Sequence, residues 1–233
     1  AGTVEARVVS VLKAQTSLVV TFKLGNLLLF YLHTIGAMLL EGSLLTTTLQ
    51  SCHKLAGRYF MEFLNTTAQR LCRQPPPTPS TLTPHAEVVS VIQDLSDIMQ
   101  SFDSSLVPAR VRESYFRPVV DEAVEPLLAG CSLAANGVPP AEGAVYLGNC
   151  ILAVQGVLQR FDFCAWRVPK LQQQLAETLD QVVHEQVQAL LRSVNLDEKV
   201  FAVQSHNQAK AKEGGGGERL SGMGGVGPPA FCI

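Results

Sequence analysis

Apolar residues recur along this chain at steps of three and four. Leu45, Leu49, Cys52, Ala56, Tyr59 and Phe63 form one such series. Val88, Val91 or Ile92, Leu95, Ile98 and Phe102 form a second, and Leu147, Ile151, Val154, Leu158 and Phe161 a third. At the pitch of an α-helix each series lines one side, and that side has to be buried against another element. Helices packed on helices satisfy that demand, so the pattern predicts an all-α chain.

The same pattern sets the expected boundaries. Residues 17–40 read as an apolar helix with Gly25 and Gly36 as weak points, and residues 43–72 as a second helix that Ser43 can cap. The run Gln74-Pro75-Pro76-Pro77-Thr78-Pro79-Ser80 ends it, because consecutive prolines favour an extended chain. The stretch to Pro84 is then a stiff connector. A third helix over 85–102 sets Gln93, Asp94, Asp97 and Gln100 opposite its apolar stripe, and Phe102 to Pro108 breaks the chain again. The next helix, about 109–133, contains Pro118 and Pro126. An interior proline costs about 3 kcal/mol, so this element is expected to kink or split.

Asn136-Gly137-Val138-Pro139-Pro140 reads as a loop. A helix over 141–163 follows, then one from Pro169 to Val194 whose expected buried side is Leu171, Leu175, Leu179, Val182, Val183, Val187 and Leu190. Short connections favour antiparallel neighbours. Past residue 207 the pattern stops, and the Gly-rich end is expected to be disordered, for want of apolar surface to offset ordering entropy. The expected division is an N-terminal helical segment (1–73), the Pro-rich connector (74–84), a helical-bundle domain (85–207) and the tail (208–233).

Composition narrows the function classes. With 233 residues, 47% of them apolar, the chain can bury a sizeable core. A net charge of −2 argues against nucleic-acid binding. The charge is unevenly spread: residues 1–73 hold seven Lys or Arg against three acids, whereas residues 74–108 hold four acids and no Lys or Arg. Six cysteines, at 52, 72, 131, 150, 164 and 232, include no C-x-x-C pair, which suits free thiols in a reducing compartment rather than structural zinc. Asn65-Thr66-Thr67 spells a glycosylation sequon, which is without meaning in the cytosol. The sequence opens at Ala1 without a basic stretch, apolar core and cleavage site, and no leader peptide is expected. Leu24 to Leu40 is the candidate membrane segment; it is short of the length of a span and includes Asn26 and His33, so a buried helix is expected.

Candidate chemistry dissolves on inspection. His184-Glu185-Gln186-Val187-Gln188 lacks the second histidine of the zinc-protease pattern. Gly222-Met223-Gly224-Gly225-Val226-Gly227 has the spacing of a dinucleotide loop, but Pro228-Pro229 stands where a helix would have to begin. Cys52 and His53 are adjacent on a helix and point about 100° apart, so they do not meet as nucleophile and base. His33, His85 and His206 have no ligand spacing. Phe161, Phe163 and Trp166 form an aromatic corner that either packs a tight helix–helix turn or anchors a partner. No catalytic, cofactor or metal residue is expected.

A series of segments in the second half carries a family resemblance: Phe102-Asp103-Ser104-Ser105-Leu106-Val107-Pro108, Glu125-Pro126-Leu127-Leu128, Phe161-Asp162-Phe163, Leu171-Gln172-Gln173-Gln174-Leu175 and Leu179 to Gln186. Upstream, Phe30 to Gly36, the run Leu44 to Thr48 and the proline connector add to it. In this order they resemble subunit 6 of the conserved oligomeric Golgi complex, over about residues 20–206. The resemblance implies an elongated helical-bundle rod in a multisubunit tether at the cytosolic face of the Golgi, peripheral to the membrane. It further implies intra-Golgi retrograde vesicle transport that maintains the glycosylation machinery, with no enzyme activity and no cofactor. The implied partners are other subunits of the complex (5, 7 and 8), Golgi SNAREs and Rab-type GTPases. The family also has an N-terminal coiled coil and further helices, where this sequence turns Gly-rich from Gly214. The expected contact surfaces are the corner of Phe161, Phe163 and Trp166 and the polar side of the last helix, with Gln173, Asp180 and His184. The rival readings are an unrelated soluble α-helical adaptor and a membrane protein anchored by residues 18–40.

Overall fold

The computed structural model describes residues 2–14, 17–39, 42–196, 198, 199, 202, 203 and 206. Among these the secondary structure is helical: α1 Gly2–Ala14, α2 Leu18–Gly36, α3 Leu44–Arg73, α4 Ala86–Asp103, α5 Ala109–Ala135, α6 Pro140–Leu158 and α7 Val168–Ser193, with a 3₁₀ segment Asp162–Arg167 before α7. The all-α expectation holds. The expected disordered tail, Gly222 to Gly227 and Cys232 lie outside the described residues. Residues 1–185 form one compact unit and residues 186–233 a second.

Local signals place the helix starts. The Ser17 hydroxyl accepts from Val20 N and the Ser43 hydroxyl from Thr46 N (3.4 and 3.3 Å), and His85 Nδ1 accepts from Glu87 N (3.2 Å). Each side chain meets a backbone donor that has no partner within its own helix. The α2 helix, one of two described helices long and apolar enough to cross a membrane, packs on α3 and α4 along one side. Its other side is exposed, so the expectation of a buried helix holds for half its circumference.

The connector lies against the bundle. Thr78 Oγ1 donates to Ala134 O (3.0 Å), Asn149 Nδ2 donates to Leu82 O (2.8 Å) and Pro76 is buried. Helices from both sides of it share a core in which Phe60, Leu64 and Leu71 of α3 meet Ile98, Met99 and Phe102 of α4, Phe116, Val120, Val124 and Leu127 of α5, and Tyr146, Ile151 and Val154 of α6. A second, smaller cluster joins Leu12 of α1 to Leu28 of α2 and to Leu49, Cys52 and Ala56 of α3.

Several expectations are corrected by packing. On α3 the buried line is Leu49, Cys52, Ala56, Phe60, Leu64, Ala68 and Leu71; Tyr59 and Phe63 are half-buried and Leu45 is exposed. Steps of four rotate the contact line slowly round a long helix, and α3 follows that drift to stay on its neighbours. Of the expected kink or split, the split does not occur: α5 is continuous through Pro118 and Pro126. Pro118 is on the exposed side, where water can meet the carbonyl it leaves free. The α6 helix ends at Leu158, not near 163. Phe161 and Phe163 are both buried in one core, whereas a continuous helix would point them about 200° apart. Phe161 therefore takes an extended backbone (φ −127°, ψ 116°), and Trp166 lies in the 3₁₀ segment rather than opening the last helix.

Two glycines permit close helix approaches. A Cβ on Gly130 of α5 would stand 2.8 Å from Leu71 O of α3, and one on Gly143 would collide with Ala135 O across the α5–α6 hairpin. Gly57 of α3 faces open space. Gly130→Ala is therefore expected to cost about 1–3 kcal/mol in urea unfolding, through displacement of α3 from α5. Gly57→Ala should stabilise by up to about 1 kcal/mol. Equal stability of the two variants would contradict the described packing.

Candidate interaction surface

The aromatic corner turns inward. Phe161 and Phe163 are 8% and 7% exposed. The Phe163 ring lies 5.2 Å from both Phe102 and Phe116, edge-on to each, and 5.6 Å from Phe161. Such edge-to-face pairs add about 0.5–1.5 kcal/mol beyond area burial. Both rings thus serve the packing alternative and leave little surface exposed. Trp166 is half-buried, with the Arg117 guanidinium 3.9 Å above its ring and its indole Nε1 buried without an acceptor. Of the corner, Trp166 alone retains a partly open side.

Gln173, Asp180 and His184 are exposed, and with Glu177 they follow one line along α7 at steps of four, three and four. Gln173 Nε2 donates to Glu177 Oε1 (2.9 Å). The expected buried stripe of the same helix is a correction: Leu171 is fully buried and Leu175 half-buried, but Leu179, Val183, Val187 and Leu190 are 45–65% exposed. Beyond Thr178 no described residue of α7 is buried. The periodicity reports a face that needs cover; it does not say that this chain supplies the cover.

Arg167 anchors the start of α7. Its guanidinium is buried, and Nη1 meets Glu125 Oε1 of α5 at 2.7 Å. Lys170 Nζ reaches the same carboxylate oxygen at 2.7 Å. Burial pushes the Glu125 carboxyl up, but the bonds and charges of Arg167 and Lys170 together outweigh it and hold the group below the usual glutamate range. Beside it a groove of about 410 Å³ between α5, α6 and α7 has an apolar floor of Leu147 and Ile151 and polar walls that include Glu125, Gln174 and Glu177. The pairing was not visible in the sequence: Glu125 opens the segment Glu125-Pro126-Leu127-Leu128, but Arg167 lies 42 positions on and nothing there links the two.

Three of the five described thiols are not poised for chemistry, whereas the Cys150 thiol is lowered by its bond to Cys131. Cys52 is fully buried, and burial pushes its thiol up. Its neighbour His53 instead meets Gly25 O of α2 through Nδ1 (3.0 Å). Cys164 is pushed up to about 12 by burial and contacts Met99 Sδ. Cys131 is raised by the Cys150 thiol beside it and by burial. Protonated, enclosed thiols are weak nucleophiles. Among the described residues no group of three or more His, Cys, Asp or Glu could hold a metal ion.

A packed helical core, with helix faces on α2 and α7 left exposed among the described residues, defines an all-α bundle. A family model described as Conserved Oligomeric Golgi complex subunit 6, C-terminal, matches residues 1–221, and the chain belongs to that family. It is similar to the conserved oligomeric Golgi complex subunit 6 of Rattus norvegicus, with 30% identity over 203 residues, covering 87% of this chain and 31% of the relative. The corresponding subunit of Pyricularia oryzae is 30% identical over 199 residues (85% and 28%), and that of Arabidopsis thaliana 25% identical (84% and 34%). The chain thus spans about a third of the length of these relatives. No solved structure matches it.

The Glu125 site yields a pH-dependent prediction. Glu125 has a lowered folded-state pKa, so its contribution is complete above the unfolded value of about 4.3 and is lost as pH falls through the folded value. Glu125→Gln leaves Arg167 buried without its counter-charge. It should cost about 1–3 kcal/mol at neutral pH in urea unfolding, less than for a fully buried pair because Glu125 is partly exposed. The gap between variant and wild type should shrink in acid. A gap constant down to the acid limit would contradict the assignment.

Proposed function

We propose that this chain is a non-catalytic part of a vesicle-tethering subunit that acts in intra-Golgi retrograde transport and so maintains the Golgi glycosylation machinery. The observation that carries this reading is the family match over residues 1–221. The structure supports it: an apolar stripe on α7 stays uncovered, as expected of a helix that packs against a neighbour. Several such faces, each weak alone, gain by acting together. The partners we infer are other subunits of the complex, with 5, 7 and 8 foremost, together with Golgi SNAREs and Rab-type GTPases. The location we infer is the cytosolic face of the Golgi, peripheral to the membrane. The contact residues we infer are Trp166, Gln173, Asp180 and His184, because all four keep open surface. The unrelated-adaptor reading gains nothing from a family match of this extent.

Co-purification tests the proposal. A tagged full-length protein carrying this chain should recover the other complex subunits and lie at the Golgi. Combined Gln173→Ala, Asp180→Ala and His184→Ala should weaken that recovery, each change altering stability by no more than about 0.5 kcal/mol, the usual range for a surface position. Recovery of no other subunit would contradict the assembly reading. Undiminished recovery by the triple variant would contradict the contact assignment alone.

A further inference from the structure

One carboxylate stands in the wall of an otherwise apolar cavity. A cavity of about 250 Å³ opens between the start of α2 and helices α3, α4 and α5. Its apolar wall includes Leu18 of α2, Leu64 and Leu71 of α3 and Ala123 of α5, all buried. Three side chains of the lining carry oxygen: Asp94 of α4, Ser17 at the cap of α2 and Thr67 of α3, each half-buried. No side chain of the lining carries nitrogen. Ser17 Oγ already accepts from Val20 N (3.4 Å), and a hydroxyl oxygen has room for a second donor.

The carboxylate has no counter-charge. Asp94 forms no ion pair among the described residues. Arg70, next to Leu71 in sequence, is held by Glu87 of α4 at 2.9 Å, and Lys13 of α1 lines a separate groove together with Glu62. Residues 74–108 contain no Lys or Arg. Burial pushes the Asp94 carboxyl up, and the like charge of Asp97, one turn along α4, pushes it further. Asp97 accepts from the neutral Gln93 Nε2 (3.0 Å), so nothing cancels its charge. A half-buried charge without a partner is a cost that a cation would relieve.

We propose that this cavity receives one lysine side chain of a partner protein. The four-carbon stem lies along Leu18, Leu64 and Leu71, and the ammonium meets Asp94, with Ser17 and Thr67 as further acceptors. The lining selects this occupant. An ammonium has three donors and no acceptor, which suits three oxygens, and its stem is apolar. A carboxylate, a phosphate or an anionic headgroup would meet Asp94 as a like charge. An uncharged apolar side chain would strip water from Asp94 and give nothing back. The volume is below the roughly 300–1,000 Å³ of sites for drug-sized ligands, which suits a single side chain. The inference deepens the assembly reading, on which it rests for the existence of a partner.

The test uses the full chain and two probes: N-acetyl-lysine methylamide, and the same molecule acetylated on its side-chain nitrogen, which keeps the stem and loses the charge. In a two-dimensional NMR titration the first probe should shift the amides of Ser17, Thr67 and Asp94 saturably, and the second should bind about tenfold more weakly. Asp94→Asn should erase that preference; Glu142→Gln, exposed on α6 outside the lining, should leave it intact. Asp94→Asn should melt no earlier than wild type by circular dichroism, because it removes an unpaired charge. Earlier melting would show that the chain supplies its own cation and overturns the proposal. No saturable shift at these residues, or equal affinity for the two probes, overturns it as well. In the co-purified complex, carbodiimide coupling and peptide mapping should join Asp94 to a lysine of another subunit. Recovered subunits without that link, or a link to a lysine of this chain or of a second copy, overturn the proposal and leave the assembly reading intact. Absence of the subunits themselves counts against the assembly reading, and the titration decides the cavity without them.

Discussion

The larger core of the compact unit depends on burying phenylalanine rings contributed by helices far apart in sequence. Phe22 of α2 lies 5.1 Å from Phe60 of α3, and Phe102 of α4 stacks on Phe116 of α5 at 4.8 Å. Phe163, from the 3₁₀ segment, closes on both Phe102 and Phe116. Each ring removes a large apolar area from water, and no helix here can do so alone. The cluster explains where the chain departs from helix: α6 must stop at Leu158 so that Phe161 and Phe163 can enter one core. It also fixes the start of α7, whose Arg167 is then sealed beneath the bundle and needs Glu125 as counter-charge.

What the core does not cover is as informative as what it does. Burial raises the thiols of Cys52, Cys131 and Cys164 under the helices, and the His53 ring meets a backbone carbonyl. Its uncovered apolar surface lies along helices, on α2 and α7. Extended helix faces of this kind offer area and register to a packing neighbour. Membership in the Golgi-complex subunit 6 family gives those faces a setting.

Fold class was legible from periodicity because four of the helices repeat their apolar steps over several turns. The α4 stripe, Val88 to Phe102, was correct almost residue for residue, since an 18-residue helix leaves little room for drift. On the 30-residue α3 the stripe moved by one position in its second half, a rotation that only the neighbours' geometry sets. The continuity of α5 through two prolines depends on which carbonyl each leaves open and whether water reaches it, which sequence does not encode. The α7 stripe shows the deeper limit: Leu171 and Leu179 look alike in sequence, and only the presence of a neighbour distinguishes them. Nothing local signalled that Arg167 pairs with Glu125, since the two meet from more than 40 positions apart.

Native-state hydrogen exchange tests most directly the claim that this aromatic core holds the unit while α7 awaits cover. Amides of Ile92–Phe102, Phe116–Cys131 and Tyr146–Leu158 should exchange slowest, near the limit of global unfolding, and those of α7 beyond Thr178 much faster. Protection of α7 equal to that of α4 and α5 in the isolated chain, or rapid exchange around Phe102 and Phe116, would contradict the account.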